Sequence, residues 1–186
     1  MLIIGRSFWW SGEGQLELYT VDRMSSLTTG THCSLVEHEG ISPPEIADLI
    51  NELCPGGVSH HGNLYLAKQH KQADVIRSAD IEILFEWVRR SKYPSKPSRF
   101  QCIFAIGDLD AAAAFKREYQ GEEAPVYKVV SEHGFRADMR LLDPSVSPAV
   151  KSWFANLYWQ GLPHPVVPPF WEWLVPCPVV IGDRVM

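Results

Sequence analysis

The sequence predicts one α+β domain, covering residues 1–186, with a mixed and mainly antiparallel sheet and flanking helices. Strand and helix patterns are interspersed irregularly along the chain, and no glycine fingerprint follows a strand, which disfavours a doubly wound nucleotide-binding fold. The 13 Gly and 14 Pro favour short elements joined by many turns. An apolar content of 46% is enough to bury a core and excludes global disorder.

The first predicted elements are short strands over residues 1–10 and 16–21. In the second of these, successive side chains alternate between an apolar face and a wetter one, as in a half-buried strand. A helix follows, with Ser42 as its expected N-cap and Pro43 at its first helical position. The Pro-Gly-Gly sequence at 55–57 is expected to end this helix.

The middle of the chain predicts a loop, a helix and a buried strand. Residues 58–66 are interpreted as a loop leading into a short strand. Apolar residues at helical spacing over 81–88 predict a second amphipathic helix, on whose surface Glu86 and Arg90 are expected to pair. The apolar run over 100–106 predicts a buried strand.

The C-terminal third predicts two capped helices and two strands. Asp108 is expected to cap the first helix, and a strand follows over 126–130. Ser147 is expected to begin the second helix and Gly161 to end it. Residues 171–181 predict a final strand, placed at an edge or with a bulge because two prolines interrupt it.

The charge disfavours a protein dedicated to nucleic acid. The chain carries 17 basic and 22 acidic residues, a formal net charge of −5, whereas phosphate binding rewards clustered Lys and Arg. The nearest candidate for a local basic patch consists of Arg89, Arg90, Lys92, Lys96 and Arg99.

The sequence predicts a cytoplasmic protein that does not enter a membrane. The first ten residues have only a four-residue apolar run before Gly5, unlike a signal peptide. No run reaches the ~18 apolar residues of a membrane span. Cysteines occur at four separated positions without a Cys-x-x-Cys pair, which favours reduced thiols.

The candidate for chemistry is Glu172, a single carboxylate between two tryptophans in an apolar run. Burying a carboxylate costs roughly several kcal/mol unless hydrogen-bonding or cationic partners compensate for its lost hydration. The alternative is that Glu172 points outward from a strand and is solvated.

The run Trp171-Glu172-Trp173-Leu174-Val175-Pro176 resembles the last core strands of ADP-ribosyltransferases, in which a Glu precedes an apolar strand. Residues 16–21 resemble the first core strand of that superfamily. Residues 97–105 resemble the second, and an Asp-Leu-Asp-Ala-Ala helix follows them as in a bacterial branch of ADP-ribosyltransferase-like domains. Two further matches to that branch are Tyr127-Lys128-Val129 and Asp138-Met139.

The chain departs from the family pattern at three positions. Thr20 stands where the first strand usually has His, and Phe104 stands where the second often has Tyr. Phe170 occupies the position at which arginine-modifying members carry an acidic residue, which weakens arginine as the acceptor.

The resemblance implies a split-sheet, ADP-ribosyltransferase-like fold and an NAD-dependent glycosyl transfer. Glu172 would be the catalytic residue, accepting a hydrogen bond from the ribose and opposing the oxocarbenium charge that develops as the nicotinamide leaves. Implied contacts with NAD come from Tyr19 or Thr20 at the nicotinamide ribose, Phe104 or Tyr65 at the nicotinamide ring, Arg99 or Arg23 at the pyrophosphate, and His61 at the edge of the site.

The resemblance further implies a toxin or phage-defence effector that modifies a macromolecule, either protein or nucleic acid, and that has a neutralising antitoxin protein as partner. Three alternatives stay open: an NAD glycohydrolase, a catalytically inactive NAD-fold interaction module, and a cysteine-based hydrolase. The segment of His60 and His61 is interpreted as an exposed polar loop in preference to a lining of the site. No His-Glu-x-x-His motif accompanies them, so metal binding is not predicted.

Overall fold

A computed structural model describes residues 9–10, 14–23, 25–37, 43–68, 73–120 and 123–186, with the side chains of all but 9–10, 73–77 and 120. The described residues form eight strands and five α-helices, which confirms the α+β class. The strands are β1 Trp9–Trp10, β2 Leu16–Val21, β3 His32–Cys33, β4 Cys102–Ala105, β5 Val126–Ser131, β6 Gly134–Asp138, β7 Trp171–Pro176 and β8 Val179–Arg184.

The strands form two four-stranded sheets. The first sheet has the order β1-β6-β7-β4 and the second has the order β2-β5-β8-β3. Every pairing of the described strands is antiparallel, which confirms the mainly antiparallel part of the prediction but not a mixed sheet. An isolated bridge joins the sheets, because Tyr19 and Ile106 exchange backbone hydrogen bonds of 2.9 and 2.7 Å.

The helices are α1 Pro44–Leu53, α2 His60–Gly62, α3 Ala73–Lys92, α4 Leu109–Phe115 and α5 Pro148–Gln160. Short helical turns follow α2 at Asn63–Ala67, precede β4 at Arg99–Gln101, extend α4 at Lys116–Gln120 and follow β6 at Met139–Leu141. None of the described helices combines the length and the apolarity that crossing a membrane requires.

The core has three layers, with the first sheet in the middle. On one face of this sheet, Phe135 and Leu174 pack against Phe85 of α3 and Phe154 of α5. On its other face, Val175 and its neighbours pack against the second sheet. Successive side chains of a strand point to opposite faces, so β7 contributes to both cores.

Several local predictions are confirmed. The β2 strand has the predicted bounds and buries Leu18 while Tyr19 is partly exposed. Asp108 caps α4, since its Oδ1 accepts a hydrogen bond of 2.7 Å from the Ala111 amide. Ser147 caps α5, which ends at the left-handed Gly161.

The prediction of a loop and short strand over 58–66 is wrong. Ser59 caps α2 by accepting a 3.3 Å hydrogen bond from the Gly62 amide, and a π-helical turn continues from Asn63. Gly62 packs so closely on the Phe100 carbonyl that an added Cβ would lie 2.3 Å from its oxygen. This contact fixes α2 against the turn Arg99–Gln101 that precedes β4.

The prediction of a single final strand over 171–181 is also wrong, because the structure has two strands in this region. The chain leaves β7 at Pro176, turns through Cys177 and Pro178, and enters the second sheet as β8. Both strands lie inside their sheets and not at an edge. Strand β6, which pairs with β7, is absent from the sequence-based prediction.

Two further predictions need smaller corrections. The N-cap of α1 is Pro43 and its first helical residue is Pro44, so the cap lies one residue later than predicted. Ser42 itself lies outside the described residues, as do residues 1–8 of the predicted first strand.

The predicted basic cluster does not form a surface patch. Lys96 and Arg99 are 6% and 4% exposed. Arg89 donates two hydrogen bonds to Glu86, of 2.9 and 2.7 Å. Glu86 is 1% exposed, so its predicted surface pair with Arg90 is wrong. Arg89 and Arg99 instead pair with carboxylates inside the protein, because a buried carboxylate needs a cationic partner.

Candidate functional site

Arg99 lies at the centre of a buried cluster between the helices and the first sheet. Its Nε and Nη2 donate to the two carboxylate oxygens of Glu82 at 2.7 and 2.9 Å. Its Nη1 donates to Glu172 Oε1 at 2.6 Å. One guanidinium from the turn before β4 therefore joins a carboxylate of α3 to a carboxylate of β7.

Glu172 is 7% exposed, so the alternative of a solvated, outward-facing carboxylate is wrong. It faces the helices, like Leu174 two residues later. Its second donor is the Tyr158 hydroxyl of α5, at 2.7 Å from Oε1. Arg99 also donates to the Tyr158 oxygen. Among the described residues, neither hydrogen bond to Glu172 uses Oε2.

The cluster is strongly coupled electrostatically. Burial favours the neutral guanidine, but Glu172 and Glu82 together hold the pKa of Arg99 well above its usual value. Burial would likewise raise the pKa of Glu82, and Arg99 followed by His61 instead holds it far below its usual range. Burial, with Glu172 adding to it, raises the pKa of Tyr158 well above its usual value. At neutral pH the hydroxyl therefore keeps its proton and donates it.

Aromatic rings border the cluster on the side of α2. His61 Nε2 lies 3.3 Å from Glu82 Oε1, and its side chain is 19% exposed. The His61 ring lies 4.6 Å from the rings of both Tyr65 and Phe104. The guanidinium carbon of Arg99 lies 4.5 Å from the Phe104 centroid, a cation–π distance.

The structure thus brings together five of the eight predicted site residues, namely Glu172, Arg99, His61, Tyr65 and Phe104. Thr20 contacts this group from the second sheet, since its hydroxyl donates to the Phe104 carbonyl at 2.8 Å. Tyr19 instead bonds Glu17 at 3.0 Å. No contact joins Arg23 to the cluster within the described residues, and Arg23 is exposed.

Two members of the cluster, Glu82 and Tyr158, are not among the predicted site residues. A signal for Glu82 is present in the sequence, because Glu82 and Glu86 stand four residues apart on one helix. Like charges at this spacing destabilise a solvated helix face, which suggests that each carboxylate has a basic partner elsewhere. Tyr158 lies in the helix predicted between Ser147 and Gly161, and a buried tyrosine hydroxyl normally has a hydrogen-bond partner, but the sequence does not indicate which partner.

A family model described as a protein of unknown function, DUF2441, matches residues 55–184, which is more than two thirds of the chain. The chain belongs to the DUF2441 family. A comparison with curated proteins finds no match. The DUF2441 match includes the whole buried cluster, whereas Tyr19, Thr20 and Arg23 precede it.

The cysteines of this DUF2441 chain are poorly suited to nucleophilic catalysis. Burial is the main cause that raises the pKa of Cys54 and of Cys177 to about 12. Burial also raises the pKa of Cys102 well above its usual value, and that of Cys33 to a smaller extent. Because the thiolate is the reactive form, the raised pKa values disfavour the cysteine-hydrolase alternative.

Across the part of the chain that the structure describes, no group of three His, Cys, Asp or Glu side chains is arranged to hold a metal ion.

Proposed function

We propose that this DUF2441 chain is an NAD-dependent ADP-ribosyltransferase whose catalytic residue is Glu172. The observation that supports the proposal most is the arrangement of that carboxylate. Two donors, Arg99 and Tyr158, converge on Oε1, which fixes the side chain and leaves Oε2 to accept a hydrogen bond from a ribose hydroxyl. A group held in advance in this way needs no reorganisation when charge develops.

The charge of the cluster also favours this chemistry. One guanidinium faces two carboxylates, those of Glu82 and Glu172, so the three groups together carry an excess of negative charge. The nicotinamide of NAD is cationic, and cleavage of its bond to ribose transfers positive charge to the sugar. A net negative, poorly hydrated site stabilises that oxocarbenium ion more than water does.

The aromatic border supplies the other half of the proposed site. His61, Tyr65 and Phe104 are partly exposed, and their rings are in mutual contact through His61. Aromatic faces attract a cationic ring and keep water from the reacting carbon. In this proposal they bind the nicotinamide, and a contact of Thr20 or Tyr19 with its ribose stays a prediction from the resemblance alone.

Several finer parts belong to the same proposal. They are the ADP-ribosyltransferase-like form of the fold, a protein or nucleic-acid acceptor, a role as toxin or phage-defence effector in the cytoplasm, and a neutralising partner protein. Arg23 is the better candidate for the pyrophosphate, because Arg99 already donates to two carboxylates.

One alternative is a catalytically inactive interaction module. It is favoured by the hydrogen bonds of Arg99 to Glu82 and Glu172, because they occupy a guanidinium that would otherwise bind NAD. In such a module the ion cluster would serve stability alone, and NAD would not bind. Calorimetric titration with NAD separates the two, since binding in the micromolar-to-millimolar range is expected only of the enzyme.

The decisive experiment uses NAD labelled in its ADP-ribose part. The purified chain is incubated with a bacterial lysate, and labelled products are then treated with protease or nuclease. Label on a macromolecule supports the transferase and identifies the acceptor class. Release of free ADP-ribose alone would make the chain an NAD glycohydrolase. Intact NAD in every condition would refute the proposal.

The matched variants are Glu172→Gln and Glu118→Gln. Glu172→Gln keeps the size of the side chain and removes its charge, and we expect NAD cleavage to fall by about 10²–10³-fold, the range for loss of one charge-stabilising group. Glu118 is 43% exposed and pairs with Arg140 outside the cluster, so its variant should keep full activity. Circular dichroism of both variants verifies folding.

A further inference from the structure

Glu82 is the second carboxylate of the buried cluster, and no sequence motif assigns it a role. It is 6% exposed and lies on α3. It accepts two hydrogen bonds from Arg99, of 2.7 and 2.9 Å, and its Oε1 lies 3.3 Å from His61 Nε2. One side chain thus contacts both the residue that holds Glu172 and a residue of the aromatic border.

We infer that Glu82 is a positioning residue of the proposed reaction, an inference that depends on the proposed function. Its two parallel hydrogen bonds fix the plane of the Arg99 guanidinium, as bidentate carboxylate–arginine pairs do. With that plane fixed, Nη1 is directed at Glu172 Oε1, 2.6 Å away. Glu82 therefore sets the orientation of Glu172 through Arg99.

Glu82 also preserves the negative charge of Glu172. Without Glu82, Arg99 and Glu172 would form a simple neutral pair, and the guanidinium would cancel much of the potential that opposes the oxocarbenium ion. With Glu82 present, the same guanidinium is shared between two carboxylates. Removal of the Glu82 charge should consequently slow bond cleavage more than it weakens NAD binding.

Glu86 provides a matched control on the same helix. It lies one turn after Glu82, is 1% exposed, and forms an equally bidentate pair with Arg89 at 2.9 and 2.7 Å. Its third partner is the Ser98 hydroxyl, at 3.0 Å. Among the described residues, no hydrogen bond connects Glu86 to Glu82, Arg99 or Glu172. Glu86→Gln removes the buried charge but keeps a side-chain oxygen that can accept the hydrogen bond of Ser98, the residue that caps the turn of Arg99.

The test is steady-state NAD cleavage by wild type, Glu82→Gln and Glu86→Gln, expressed per folded molecule. For Glu82→Gln we expect kcat to fall by about 10–100-fold, the cost of a small misplacement of a catalytic group, and KM to change by less than about threefold. Glu86→Gln should retain the wild-type kcat. Equal kcat values for the two variants would overturn the inference.

A second variant and a second measurement keep the test decisive. Glu82→Asp retains the charge but withdraws the carboxylate by one methylene, so a kcat between those of Glu82→Gln and wild type is expected; a kcat equal to wild type overturns the inference. In nitrogen-15 NMR spectra, the Arg99 Nε–H signal should exchange slowly with water in wild type and rapidly in Glu82→Gln. Unchanged exchange would also overturn it.

Failure of the proposed function has a different signature. A wild-type chain that leaves NAD intact removes the reaction, and the positioning role falls with it. An active wild type whose Glu82 variants match Glu86→Gln removes only the positioning role.

Discussion

Replacing Arg99 with Met would test whether the buried cluster is as tightly coupled as its geometry indicates. The substitution keeps much of the side-chain volume but removes three donors and the one positive charge that Glu82 and Glu172 share. Both carboxylates would remain buried without their main partner. Breaking a buried ion pair in this way costs about 3–5 kcal/mol, and two carboxylates are affected here.

We therefore expect the free energy of unfolding to fall by about 4 kcal/mol at pH 7, a large part of the ~5–15 kcal/mol that stabilises a typical domain. The loss should shrink on acidification. In wild type, the folded pKa of Glu82 is held below its unfolded value by Arg99, so its stabilising contribution is complete at neutral pH and declines only below about pH 4.5. In the variant, burial raises the folded pKa of Glu82, so protonation favours the folded state as pH falls.

Urea unfolding followed by tryptophan fluorescence at pH 7 and pH 5 measures both effects. Arg140→Met is the control, since Arg140 forms a similar bidentate pair with Glu118 at 2.7 and 3.1 Å but is 32% exposed. Exposed pairs contribute about 0–1 kcal/mol. A loss below about 1 kcal/mol for Arg99→Met, or a loss equal at the two pH values, would refute the reasoning.

Three other predictions concern single features of the fold. Asp138→Asn should lower the free energy of unfolding by about 2 kcal/mol, because the carboxylate accepts three backbone hydrogen bonds of 2.7–3.0 Å. Urea titration measures the change. An unchanged free energy would mean that these hydrogen bonds do not stabilise the loop before β7. Gly62→Ala should lower the melting temperature although alanine gains about 1 kcal/mol in a helix, because its Cβ would lie 2.3 Å from the Phe100 carbonyl oxygen; a higher melting temperature would contradict this close contact. Cys54 and Cys177, with a pKa of about 12, should have a thiolate fraction of about 10⁻⁴ at pH 8. Iodoacetamide should therefore label them far more slowly than a free thiol, and the labelling rate should increase with pH. Rapid labelling at pH 8 would disprove the effect of burial.

Local signals in the sequence were sufficient for the start of α4 and for both ends of α5. Asp108, Ser147 and Gly161 act within one helical turn, and their preferences survive in the folded protein. The split of residues 171–184 into β7 and β8 was not predictable in the same way. Both halves have strand-like patterns, and the sheet that each joins depends on partners far along the chain.

The members of the candidate site were easier to predict than their connections. Glu172 and Arg99 were selected from separate motifs, and 73 positions separate them, so no spacing rule indicates that they meet. Glu82 was missed because helical periodicity identifies the apolar stripe of α3 and not which flanking carboxylate is paired. Strand β6 was missed because its five residues include the charged Arg136 and Asp138.

The orientation of β7 has a consequence for how anything reaches Glu172. The face of β7 opposite to Glu172 packs against the second sheet, and the Tyr19–Ile106 bridge joins the two sheets by backbone hydrogen bonds. Any molecule that contacts Glu172 must therefore do so on the helix face of the first sheet, where the partly exposed His61 and Tyr65 border the buried cluster.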